Sequence, residues 1–131
     1  MKAFTADKIR NVSLLGHSSS GKTTFTEALL FATKVVNRQG RVEDKNTVSD
    51  FDHEEMERGV SIGTSVIPIE YKDYKFNILD TPGYFDFIGE WYGAKRVSDG
   101  SVILVDAQAG VEVGTEKAWN NVEKYNTPRI I

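Results

Sequence analysis

Gly16-His17-Ser18-Ser19-Ser20-Gly21-Lys22-Thr23 follows directly on the apolar run Val12 to Leu15 and leads into Thr24-Phe25-Thr26-Glu27-Ala28-Leu29-Leu30-Phe31-Ala32. The pattern G-x-x-x-x-G-K-[ST], set between a strand and a helix, belongs to a loop that wraps a polyphosphate. The glycines let the backbone curl until successive N–H groups aim inward, Lys22 brings a point charge, and Thr23 offers a hydroxyl to Mg²⁺. In the following helix Phe25, Ala28, Leu29 and Ala32 are spaced to share one apolar face.

On either side of this stretch, strand-like and helix-like segments alternate. Ile9 to Leu15, Ile62 to Tyr71, Tyr74 to Leu79, Ser101 to Val105 and Pro128 to Ile131 read as strands, and Phe85 to Val97 and Thr115 to Tyr125 as helices. Ser101-Val102-Ile103-Leu104-Val105 is apolar on both faces, as expected of a central parallel strand covered on each side. This predicts an α/β fold, a mostly parallel sheet with helices on both faces. The short turn Tyr71-Lys72-Asp73-Tyr74 suits antiparallel neighbours, and Pro68 suits an edge strand, so one hairpin is expected at the sheet edge. Residues 34–61 read as one long span without regular structure, acidic between Arg41 and Arg58 with seven acidic residues against three basic, and mobile and solvated. Because Ile131 falls within an apolar strand with no helix after it, the chain is expected to be a truncated piece of a larger domain.

The 131 residues suffice for one domain with its own core. There is no cysteine, which excludes disulfides and thiolate metal sites. No stretch is apolar enough to span a membrane, and residues 1–8 lack the apolar centre of a secretion signal, so the expectation is a cytoplasmic protein without a membrane partner. A net charge of −3 argues against DNA or RNA binding through a general basic surface.

Two further elements extend the phosphate site. Asn77-Ile78-Leu79-Asp80-Thr81-Pro82-Gly83 places an acid at the carboxyl end of an apolar strand and a glycine three residues later, the D-x-x-G pattern. Ligands of open α/β sheets sit at the carboxyl strand ends, so Asp80 is placed to hold Mg²⁺, directly or through water, and the Gly83 N–H to approach a γ-phosphate. Arg58-Gly59-Val60-Ser61 closes the long acidic span, and a hydroxyl there can reach a metal when a nucleotide draws the loop in.

Gly16-His17 through Lys22-Thr23-Thr24, Glu57-Arg58-Gly59-Val60-Ser61-Ile62, Asp80-Thr81-Pro82-Gly83 with Asp86-Phe87, and Asp106-Ala107-Gln108-Ala109-Gly110-Val111-Glu112 together resemble the G domain of bacterial elongation factor G, nearly end to end. The resemblance implies a phosphate-loop NTPase fold that binds and hydrolyses GTP on the ribosome in translocation, as part of a protein several times longer. It implies nucleotide contacts from Gly16, His17, Ser18, Ser19, Ser20, Gly21, Lys22, Thr23, Thr24, Asp80 and Gly83. Thr23, Ser61 and Asp80 would hold Mg²⁺, and Asp50 matches an acid of the first switch loop. Residues 34–61 would form that first switch and about 80–97 the second. Lys22 and Gly83 would take part in catalysis.

The chain departs from the family at the water-handling side of the site. The family continues Asp-Thr-Pro-Gly with a histidine that positions or polarises the attacking water, and Tyr84 stands there instead. A phenol has almost no ionised form near neutral pH, so Tyr84 can orient a water or pack on RNA but is no general base. Ser18 and Ser19 replace an aliphatic residue and an acid. These three changes, with the phosphate and Mg²⁺ positions kept, resemble the elongation-factor-G-like paralogues more than the main translocase. The guanine-reading Asn-Lys-x-Asp element would follow Ile131, so guanine preference rests on the resemblance, and the chain alone is expected to bind GTP weakly and to hydrolyse little. Two other readings stay open: a nucleotide-operated ribosome-binding switch with weak hydrolysis, which Tyr84 favours, and a phosphate-loop ATPase or kinase, which the contexts of Ser61 and Asp80 disfavour.

Overall fold

A computed structural model describes residues 3–49 and 52–131; Asp50 lies outside the described residues. In chain order the elements are β1 (Ile9–Gly16), α1 (Lys22–Ala32), α2 (His53–Arg58), β2 (Ser65–Tyr71), β3 (Tyr74–Asp80), α3 (Ile88–Val97), β4 (Gly100–Leu104), α4 (Val113–Lys124) and β5 (Arg129–Ile130). They form one five-stranded sheet in the order β2-β3-β1-β4-β5, parallel except for the β2–β3 pair at one edge.

Strand β1 runs through the middle because its side chains are needed on both sides. Successive strand residues point to opposite faces. Leu14 joins Leu30, Ile67, Ile69 and Ile78 under α1, whereas Leu15 joins Trp91, Ile103, Ala118 and Val122 under α3 and α4. The hairpin is closed by Lys72 and Asp73, both at positive φ (46° and 64°), the backbone of a two-residue turn whose twist matches the strands it joins. Pro68 sits opposite Asn77 on the outermost strand, where its missing N–H leaves no ladder broken on the far side.

Phe25, Leu29 and Ala32 share one face of α1, as their spacing requires, and line an open apolar trough of about 460 Å³ against the sheet, with Phe25 36% exposed and Ala32 exposed. The helix starts inside the phosphate loop, and its buried residues, Lys22, Thr26, Glu27 and Leu30, include groups that hold backbone. Three expectations are corrected. Residues 34–61 are not structureless: α2 lies within them, closed at its start by a reciprocal cap in which Asp52 accepts from Glu54 N–H and Glu55 accepts from Asp52 N–H. Strand β2 starts at Ser65 rather than Ile62, because the N–H groups of Ile62 and Gly63 go to Glu55 and that of Thr64 to Glu90. The segment 85–97 opens as a single 3₁₀ turn at Phe85–Phe87 before α3 begins, and the remaining elements end within two residues of expectation.

Candidate functional site

The site lies at the carboxyl ends of β1 and β3. The loop after β1 curls through Ser19 (φ 62°) and Gly21 (φ 89°), both in the left-handed region from which anion-binding backbone nests are built. Lys22 opens α1 and is 6% exposed; its ammonium donates to the carbonyls of His17 (2.7 Å) and Gly16 (3.2 Å). Burial lowers its pKa to about 8, with the Asp80 carboxylate opposing the shift. Asp80 ends β3 at 1% exposure.

Gly83 is packed directly on the phosphate loop. A Cβ there would come within 2.6 Å of Lys22 Nζ and 2.7 Å of Ser18 Cα, so only glycine permits this approach. The turn that carries it is held from below, where the fully buried Trp91 of α3 donates its indole N–H to Pro82 O (2.6 Å) and Thr81 donates to Leu14 O. Thr23 and Ser61, 38 residues apart in sequence, meet with their hydroxyls 3.3 Å apart.

These groups border a cleft of about 260 Å³ walled by Ser18, Ser19, Gly21, Lys22, Thr23 and Thr24 on one side, Gly59, Val60 and Ser61 with Val42 and Glu43 on another, and Gly83 and Tyr84 on a third. Tyr84 is 44% exposed at its rim. Other positions singled out in the sequence do not line this cleft. The His17 side chain turns toward the start of α4, with Nε2 3.5 Å from Glu112 Oε1 and its ring edge-on to Phe85. Ser20 is buried in the loop, Gly16 lies beneath it, and Asp80 sits behind Lys22.

The structure also brings in residues that sequence reasoning did not single out. Glu27 accepts from the N–H of Gly40 and of Val48, and Glu55 accepts from Ile62 and Gly63 just beyond Ser61. For Glu55 the signal was present, since Asp52-His53-Glu54-Glu55 has the acid-x-x-Glu spacing of a helix cap. For Glu27 no local signal exists.

A loop of this shape on the first strand of a parallel sheet, with a buried lysine and an aspartate from the neighbouring strand end, defines a phosphate-loop nucleotide-binding domain. The family model that matches, over residues 7–131, is the elongation factor Tu GTP binding domain, and the chain belongs to that family. Among its relatives are elongation factor G of Granulibacter bethesdensis, 40% identical over 131 residues and covering 100% of this chain, and elongation factor G of Thermotoga maritima, 43% identical over 124 residues and covering 95%. The chain spans about a fifth of their length, 19% and 18% respectively. A solved structure from Thermus thermophilus superposes with a TM-score of 0.90 at 44% identity, covering 94% of this chain and 19% of that one. Translation elongation factor SelB of Methanococcus maripaludis, solved with the GTP analogue GPPNHP, shares the fold at 22% identity and a TM-score of 0.70, covering 98% of this chain and 22% of its own. Among the described residues, no helix is long and apolar enough to cross a membrane.

Proposed function

We propose that this chain is the GTP-binding and GTP-hydrolysing part of a cytoplasmic elongation-factor-G-like protein that works on the ribosome in translocation. The observation that carries it is the meeting of Thr23 with Ser61 together with the seat of Gly83 on Lys22 and Ser18, because these contacts join the phosphate loop to residues 34–61 and to residues 80–97. On this reading those two segments are the nucleotide-sensing switches.

On this reading the N–H groups of Ser18, Ser19 and Gly21 to Thr24 and the Lys22 ammonium bind the phosphates of GTP or GDP, the Ser20 N–H being held by His17 O, and Gly83 N–H meets the terminal phosphate. Thr23 and Ser61 would hold Mg²⁺ from the cleft and Asp80, set behind Lys22, directly or through water; two hydroxyls and a buried carboxylate make an all-oxygen set that fits that ion, which otherwise takes water and phosphate oxygens. When bound, the ion neutralises charge on the phosphate oxygens. Tyr84 borders the cleft, which supports a role for its hydroxyl in orienting the attacking water rather than taking its proton.

Tyr84 also supports a second reading, a ribosome-binding switch that hydrolyses slowly. Single-turnover GTP hydrolysis by the full-length protein, with and without ribosomes, for wild type and Tyr84→His, separates the two. Ribosome stimulation of the wild type is expected. No stimulation of the wild type together with a response of the histidine variant overturns the enzyme reading in favour of the switch.

A further inference from the structure

Glu27 lies one turn beyond Thr23 on α1 and is 1% exposed. Burying a carboxylate is costly unless its oxygens are hydrogen-bonded, and here both accept backbone N–H groups from the same distant loop: Oε1 from Val48 (2.6 Å) and Oε2 from Gly40 (3.0 Å). The loop crosses so close that a Cβ on Gly40 would lie 2.6 Å from Glu27 Oε2 and 2.8 Å from Asn46 O. Between the two anchored amides, Asn46 Oδ1 accepts from Arg41 N–H, and Val42 and Glu43 project as a wall of the cleft.

We propose that Glu27 is a positioning residue for the nucleotide: it clamps residues 40–48 to the phosphate-loop helix, holds Val42 and Glu43 over the cleft, and so sets how long a nucleotide stays. The proposal rests on the cleft being the nucleotide site. The carboxylate is suited to the task because it accepts at both oxygens at once, whereas the amide of a glutamine turns a donor toward one of the two N–H groups.

The test uses the full-length protein and two variants, Glu27→Gln and Gly40→Ala, with backbone hydrogen exchange and the release rate of a fluorescent GDP in Mg²⁺ as readouts. Loss of charge-assisted bonds is expected to speed exchange at Gly40 and Val48, and nucleotide release, by about ten- to a hundredfold. Association is expected to stay within about twofold, and exchange in β1 and β4 to stay unchanged. Unchanged exchange at Gly40 and Val48 in Glu27→Gln overturns the clamp. Faster exchange there with unchanged release overturns its role toward the nucleotide. If Glu27→Gln exposes β1 and β4 as well, Gly40→Ala decides: selective loosening with faster release sustains the proposal, and its absence refutes it. Failure of the wild type to bind GDP refutes the nucleotide reading, a result distinct from failure of the clamp, which the exchange data report alone.

Discussion

Raising the pH from about 7 to about 9 is expected to weaken nucleotide binding roughly tenfold, through Lys22 alone. Burial holds its pKa at about 8 against the ordinary 10.5, so the free site loses its positive charge within this range. A polyphosphate against the ammonium favours the charged form and restores the pKa toward the ordinary value. Binding therefore takes up a proton, on the order of half a proton per site at pH 8. Titration calorimetry of GDP in two buffers of different ionisation enthalpy measures that uptake directly. The same shift sets a stability trend in the nucleotide-free protein. Between about 8 and 10.5 the unfolded chain holds more protons than the folded one, so the Lys22 contribution raises stability with pH across that window. The cost of the buried ammonium, about 3 kcal/mol, is present in full below the window. Denaturant unfolding of wild type against Lys22→Met isolates it, since other groups cancel. Affinity that stays flat from pH 7 to 9, with no proton taken up at pH 8, refutes the argument.

Gly83→Ala is expected to cost about 1–3 kcal/mol of stability and to weaken nucleotide affinity, because the nearest atoms include Ser18 backbone that cannot swing aside. Paired denaturation and nucleotide titration check it, and full affinity at unchanged stability counts against the close approach. Trp91→Phe leaves a smaller ring in the fully buried slot and Pro82 O without its indole donor, for an expected loss of at least about 1–3 kcal/mol in urea unfolding, the vacated volume adding to the lost bond. A greater change in β5 exchange than in the exchange of residues 80–84 would contradict the view that this bond supports the Gly83 turn.

Much of the architecture was legible because its causes are local. The run Val12 to Leu15, the loop Gly16 to Thr23 and the helix after it are contiguous, and a two-residue turn at Lys72-Asp73 leaves β2 and β3 little choice but to pair. The apolar strand Gly100–Leu104 announced its central place by being apolar on both faces. The acidic span was harder to read. Its charges suggested a solvated loop, yet Glu55 and the nearby Glu27 turn inward to satisfy backbone groups, a use of charge that composition cannot distinguish from exposure.

Which chemistry the chain is built to hold is written locally, since a phosphate loop asks only for the backbone freedom of its glycines and the side chains at the Lys22 and Thr23 positions. What faces that loop follows from the packing of distant segments. Thr23 meets Ser61, Gly83 rests on Ser18, and Glu27 grips Gly40 and Val48 across spans of 13 to 65 residues. The reason is physical: buried polar groups must be satisfied, and which distant backbone satisfies them is settled by how the sheet brings strand ends together, not by any local pattern of residues.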